Sequence, residues 1–405
     1  MRRSPLALAL LASAMLAPPR ALAAAPAVVP APGVHRTHID IGTILDLSGP
    51  LAAQGRAIEN GLRLAFSRIN ARGGVNGRKL VLLVKDSAFS AQKAQVAAQA
   101  LIHHGIFALL CANGTPPVVA SMPLILAHGI LDLFAFVPAH ADYTRPRRLV
   151  FSLEVPVAAQ AEIGLKALLN ERGDLKVGVL YSEDSLGQAV LAGVSRELAR
   201  RGQPLVAAAP YKEGRSDLRP QLAQLHRAGA ELVVLGSVPQ DAMLVLREAH
   251  RAAWRPVFFC PACYMPEAAT IGGRAVDGLY AFAATPIPYP NDDAPPIAAW
   301  AHRYARRFHA VATPEALQAY LDAKLFADAL AHTGTHPTPL HFADVLESLP
   351  PWHDPVIGGP EAKFSATDHL GLHSGWLAEI ENRRWRMIGP LQTLTRRKPA
   401  AKPAQ

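Results

Sequence analysis

Two of the three cysteines stand three positions apart in Val257-Phe258-Phe259-Cys260-Pro261-Ala262-Cys263-Tyr264-Met265. That spacing admits a redox centre, a haem or metal handle, or a piece of wall around a ligand. A thiol–disulfide enzyme needs its first cysteine at a helix N-terminus, accessible and with a depressed pKa. Here Cys260 closes an apolar run and Pro261 follows at once. Haem attachment through two cysteines wants a histidine directly after the second, where Tyr264 stands. The choice among these uses depends on compartment, fold and neighbours.

Other chemistry-bearing residues are scattered. Of the 16 histidines, His103 and His104 are adjacent, so on a helix they point apart. His369 and His373 are four apart, but Gly371 lies between them and weakens a helix there. No metal site and no cofactor is expected. The chain has no GxSxG elbow, no P-loop and no paired carboxylates in a catalytic frame. The glycines of 73–77 read as turn chemistry, without the strand-to-helix setting that phosphate binding requires. An enzyme is not expected.

These residues need elements to position them, and the apolar periodicity supplies a regular series. Strands are predicted over 39–45, 80–84, 107–111 and 130–136, with helices over 53–70, 91–102 and 116–127. Thr115 is placed as the N-cap of the last of these, with Pro116 at its first position. The rhythm restarts with helices over 158–170, 186–201, 217–228 and 240–252. Strands alternate with them over 177–181, 205–209, 232–235 and 257–259. Two further helices, 295–311 and 314–332, pack on one of the two units. Alternating β and α with doubly buried strands gives an α/β fold of two parallel-sheet lobes. In such sheets ligands bind beyond the carboxyl ends of the strands. The candidate loops carry Ser48, Asn113, Thr115, Phe134 to Pro138, Ser182 to Ser185, Val238 and Cys260 to Tyr264. Phe134 and Phe136, two apart in a strand, are expected to share a face. Glu183 and Asp184 read as solvated strand-end acids.

The 405 residues suffice for about two to three domains. Arg2 and Arg3 precede an apolar run from Leu6 to Ala17 that ends in Ala21-Leu22-Ala23. This is the order of a secretory signal peptide, cleaved near Ala23, and the run is too short to span a bilayer. The formal charge of +9 includes Arg2, Arg3 and Arg20, so the cleaved chain carries +6. The surplus is modest and spread out, apart from Arg396, Arg397, Lys398 and Lys402, and no nucleic-acid partner is expected. Export means an oxidising compartment, where cysteine pairs tend to become disulfides.

An ordered set of residues resembles one known family. It comprises Leu47-Ser48-Gly49-Pro50, Ile69-Asn70, Gly73-Gly74-Val75-Asn76-Gly77-Arg78, Lys85-Asp86, Gly129-Ile130, Val177 to Tyr181, Leu186-Gly187-Gln188 and Arg247-Glu248-Ala249. Together they resemble the type I periplasmic solute-binding proteins, in the branched-chain amino-acid and amide-binding (leucine-binding-protein-like) group, from about residue 39 to 390. The resemblance implies two Rossmann-like lobes joined by three crossovers and closing on a ligand. It also implies an ABC importer, with permease subunits as membrane partners, a periplasmic location and a monomer. The crossovers are placed near Leu153, Leu279 and Val356. The organisation is then signal peptide 1–23, Pro/Ala-rich leader 24–38, N-terminal lobe 39–153 with 280–355, C-terminal lobe 154–279 with 356–393, and basic tail 394–405.

Position by position, little of the amino-acid grip is kept. Thr115 falls where the family has a ligand-binding hydroxyl. Leu186 and Val238 stand where the amino-acid binders have tyrosines, and Ala262 where they place the acid that takes the ammonium. Phe134 to Pro138 replaces a serine-proline-alanine-threonine stretch. An α-amino acid would bury its ammonium without that partner, which is costly. The expected ligand is a small organic molecule, apolar or aromatic with one polar end near Thr115. The expected contacts are Ser48, Asn113, Thr115, Phe136, Leu186, Val238, Cys260, Cys263 and Tyr264. At this cleft position Cys260 and Cys263 are expected to form a local disulfide that stiffens the loop, leaving Cys111 unpaired. A ligand-sensing protein of the same fold, or a thiol-disulfide oxidoreductase using Cys260 and Cys263, are the alternatives.

Overall fold

The structure is a computed structural model, and it describes residues 30–137, 147–212, 214, 217–271 and 273–394. The expected signal peptide, most of the leader, Pro138 and the basic tail beyond residue 394 lie outside the described residues.

The first unit runs β1 (His38–Leu45), α1 (Ala52–Ala71), β2 (Lys79–Asp86), α2 (Ala91–His104), β3 (Ala108–Leu110), α3 (Thr115–Ala127), β4 (Leu131–Leu133) and β5 (Val150–Phe151). The second opens with α4 (Val157–Arg172), β6 (Val177–Ser182), α5 (Ser185–Arg201), β7 (Ala207–Tyr211), α6 (Arg219–Arg227), β8 (Leu232–Gly236), α7 (Pro239–Arg251) and β9 (Val257–Phe259). A 3-10 turn (Pro261–Cys263), α8 (Pro266–Ile271) and β10 (Leu279–Ala283) follow. Then come α9 (Pro295–Phe308), α10 (Pro314–His332), α11 (Pro339–Ser348), β11 (Trp352–Asp354), β12 (Gly358–Ala362), β13 (Ser374–Glu381) and β14 (Arg384–Thr393).

Two sheets result. The first has order β2-β1-β3-β4-β5 and is parallel throughout. The second has order β14-β13-β10-β9-β8-β6-β7, parallel from β10 to β7 and closed by antiparallel β13 and β14. Each sheet carries apolar clusters on both faces, as Val/Leu/Ile-rich strands such as Leu232-Val233-Val234-Leu235 require. The α/β two-lobe architecture read from the sequence is the one observed.

Helices α9 and α10 pack in the core of the first lobe, through Trp300, Tyr304 and Phe326. Helix α10 lies so close to α1 that a Cβ on Gly61 would meet the Ala316 carbonyl oxygen at 2.2 Å. Only glycine fits there.

The lobe boundaries differ from those expected. β10 hydrogen-bonds to β9 and β13, so residues 280–283 belong to the second sheet and the second crossover follows Ala283 rather than Leu279. Ala362, Phe364 and Leu372 still pack in the first lobe, so the third crossover lies just before Ser374 rather than at Val356. The first crossover, at 152–156, runs beside the third: Ser152 N–H donates to His369 O at 2.9 Å, and Gly371 N–H to Ser152 O at 2.7 Å. The strand expected over 130–136 stops at Leu133, because Phe134 takes a left-handed φ of 57°. Among the described residues no helix is long and apolar enough to cross a membrane.

Candidate ligand-binding cleft

A cavity of about 280 Å³ opens between the lobes beside the crossovers. The first lobe contributes Gln54 at the start of α1, Phe136 after β4, and Pro314, Glu315 and Gln318 from the first turns of α10. The crossovers contribute Leu153, Glu154, Val155, Ala284 and Thr285, with Phe282 from the end of β10. From the second lobe come Val157 and Gln160 of α4, and Pro261, Ala262, Tyr264 and Met265 after β9.

Local chemistry places each side. The left-handed turn at Phe134 breaks the alternation expected of a strand. Phe134 stays buried, stacked on Phe364 with ring centroids 6.1 Å apart, while Phe136 turns into the cleft. Phe136 is held there by its N–H donating to Ala112 O at 2.8 Å. Helix α10 begins with a Thr313 side chain accepting the Ala316 N–H at 3.3 Å, followed by Pro314. Glu315 thus sits in a first turn, where the helix dipole favours an acid. Tyr264 is pinned by its hydroxyl, which accepts the Ile287 N–H at 3.1 Å, and its ring tilts on Trp385.

A polar chain forms one end. The Thr285 hydroxyl donates to Gln318 Oε1, Gln318 Nε2 donates to Asp322 Oδ1 at 2.6 Å, and the Cys111 thiol donates to Asp322 Oδ2 at 3.6 Å. Asp322 is buried, and burial pushes its carboxyl well above the ordinary range, with Glu154 adding to the rise. Burial also pushes the Glu154 carboxyl up, to about 7, and the neighbouring Glu315 reinforces it. No Lys, Arg or His is among the described residues of the lining.

The sequence-predicted contacts divide. Phe136 and Tyr264 line the cleft. Cys260 and Cys263 are joined by a disulfide and both are fully buried, so the wall is made by Pro261 and Ala262 between them. Cys111 is the free, buried cysteine. Asn113 stands behind the wall: its Oδ1 accepts the Asp46 N–H at 2.8 Å, and its Nδ2 donates to Gln54 Oε1 at 2.9 Å, which faces the cavity. Ser48, Thr115, Leu186 and Val238 lie outside the lining in this conformation. Ser48 donates to Asp86 Oδ2 at 2.6 Å, and Leu186 packs against the core of its own lobe. Thr115 is exposed and is the first residue of α3 rather than its N-cap; Gly114 takes the cap with φ 87° and no side-chain bond. Val238 is the N-cap of α7. Asp184 caps α5 by accepting the Gly187 N–H at 2.9 Å. Glu154, Glu315, Gln318 and Gln54 were not read from the sequence, although Thr313-Pro314-Glu315 is a helix-start signature and Glu154 directly follows the predicted crossover at Leu153.

This fold has known counterparts. A family model described as periplasmic binding protein matches residues 38–384. The chain belongs to that family. A curated relative, Leu/Ile/Val-binding protein homolog 8 of Brucella abortus (strain 2308), is 24% identical over 256 residues. The match takes in 60% of this chain and spans 63% of that relative's length. The fold is similar to a fatty acid ABC transporter substrate-binding protein from Thermomonospora curvata. There the TM-score is 0.72 and the identity 20%, over 90% of this chain and 94% of that one. It is also similar to a leucine-binding protein from Thermotoga maritima, with a TM-score of 0.68 and 16% identity, over 87% and 98%.

Proposed function

We propose that this protein is the periplasmic substrate-binding component of an ABC importer, exported by the 1–23 leader and closing its lobes on a small organic ligand. The observation that carries the reading is the inter-lobe cavity, lined from both lobes and by the crossovers. Family membership and the ABC transporter partners of its structural relatives support it.

The lining also speaks to the ligand. Phe136, Phe282, Leu153, Val155, Val157 and Met265 suit an apolar or aromatic body. The polar end lies at Glu154, Glu315 and Gln318 instead of near the exposed Thr115. Two acids side by side repel a ligand carboxylate and favour hydrogen-bond donors. The ligand class is therefore an apolar amide or amine; Glu154 and Glu315 supply the acid partner for an ammonium that Ala262 does not, but an α-amino acid is disfavoured because the lining holds no Lys, Arg or His for its carboxylate. The Cys260 and Cys263 sulfurs are too buried for a redox partner to reach.

Native mass spectrometry of protein purified from the periplasm should show a co-purified small molecule. A thermal-shift panel of aromatic and aliphatic amides, amines, acids and leucine completes the test, since a specific ligand stabilises by mass action. Amides or amines should raise Tm; a large shift with leucine or with acids alone would sink the ligand class. Insulin reduction dependent on Cys260 would overturn the carrier reading.

A further inference from the structure

The opposite end of the first lobe carries a second cluster. Asp40, near the start of β1, is buried, with its side chain 5% exposed. Its ion-pair partners are three imidazoles: His35 Nε2 at 3.1 Å and His104 Nε2 at 3.2 Å from Oδ2, and His38 Nε2 at 3.7 Å from Oδ1. The ligand atoms of His35, His38 and Asp40 all lie within 4.8 Å of one another.

The backbone holds these groups in place. Val34 and Ile39 pair across a tight turn, the His35 N–H donates to His38 O at 2.9 Å, and the Asp40 N–H donates to Gly33 O at 2.8 Å. Arg78 Nε donates to the His35 carbonyl at 2.8 Å, which ties the turn to the chain before β2. The Phe107 N–H donates to Asp40 O at 2.9 Å, just beyond the end of α2 that bears His104. The Thr37 hydroxyl lies 3.2 Å from His38 Nδ1, leaving Nε2 to face the carboxylate. A hydroxyl on the far ring nitrogen is the outer support that metal-binding histidines use.

Tetrahedral coordination with bonds of about 2.0–2.2 Å puts donor atoms roughly 3.3–3.6 Å apart. The contacts of His35 and His38 to Asp40, at 3.1 and 3.7 Å, bracket that range. His104 touches Asp40 but stands outside the group whose ligand atoms all lie within 4.8 Å of one another.

We propose that His35, His38 and Asp40 form a binding site for a divalent transition metal of the zinc class, with His104 drawing in from the C-terminal end of α2 as a further donor. Imidazole and carboxylate donors suit Zn²⁺, and also Cu²⁺ and Ni²⁺. The site lies at the end of β1 away from the cleft, and His35 precedes the family match at residue 38. It survives cleavage near Ala23.

The test uses tag-free, chelator-stripped protein titrated with Zn²⁺ by calorimetry, with Co²⁺ as an optical probe. One equivalent should bind, with the intense visible bands of tetrahedral Co²⁺. The double variant His35→Ala/His38→Ala, on an exposed turn, should lose about 100-fold or more in affinity, and Thr37→Ala about tenfold. Circular dichroism confirms that each variant is folded. Absence of stoichiometric uptake, or uptake unchanged in the double variant, would overturn the proposal.

Discussion

The Cys111 thiol donates to Asp322 Oδ2 at 3.6 Å, joining the end of β3 to the middle of α10 beneath the polar end of the cleft. Both side chains are buried, and Cys111 holds a left-handed φ of 55°. Such strain at a strand end persists only where surrounding contacts over-determine it. The Asp322 carboxyl is pushed well above its ordinary range by burial. A raised acid stabilises the fold at low pH, and the contribution is lost as pH climbs from the unfolded-state value through the folded one. Asp322→Asn should therefore flatten stability against pH while keeping an acceptor for Gln318. Asp322→Ala should cost about 3 kcal/mol by leaving that amide unpaired in a cavity. Urea unfolding at two pH values measures both.

Glu154 gives a second pH dependence, centred on its value of about 7. Below the ordinary carboxylate range the contribution is fully present, and it declines as pH rises through about 7. Tm of the ligand-free protein should fall from about pH 5 to about pH 8, and less so in Glu154→Gln. Affinity for an apolar amine should rise across the same interval in the parent and stay level in the variant. Equal pH slopes in the two proteins would refute the role given to Glu154.

The cavity lining predicts contrasting effects of substitution. Phe136→Ala should weaken ligand binding about 10- to 100-fold, since an aromatic ring buried on binding is worth about 1.5–3 kcal/mol. Ser48→Ala and Thr115→Ala should leave affinity within about twofold, the first costing about 1 kcal/mol of stability through its bond to Asp86. Calorimetry with the ligand found by mass spectrometry decides.

The disulfide predicts a thiol count. Unfolded without reductant, the protein should show one reactive thiol, Cys111, and three after reduction. Cys260→Ser/Cys263→Ser closes no loop and should lose about 2 kcal/mol by chain entropy for so short a span. A count of three before reduction would remove the cross-link.

Strands and helices up to Phe259 were legible from their apolar runs, except β5, whose two residues are too short to carry a pattern. The C-terminal strands were not. β14, Arg384-Trp385-Arg386-Met387-Ile388-Gly389-Pro390, is largely exposed at a sheet edge and carries little apolar alternation. β10 reads in the sequence only as a crossover at Leu279, because its place depends on pairing with β9 and β13, distant partners that no local pattern reveals. In the cleft, Phe136 and Tyr264 were legible as strand-end aromatics. Glu154 and Glu315 were not, because their meaning comes from the first crossover meeting the start of α10 across 161 positions of chain. The His35-x-x-His38-x-Asp40 spacing was in plain view, but only the hairpin brings its ligand atoms to one point, and His104 joins from another element.

The bridge between Ser152 and His369–Gly371 sets the first and third crossovers side by side, two residues before Glu154, and Thr285 lies on the second. A molecule touching Glu154 and Thr285 wedges the pivot itself, unlike a hand on the edge of a door. Mutations that retune what is recognised will then also retune how fast the door swings. Specificity and release rate would evolve together, and a graft of strand-end loops from a relative would transfer neither.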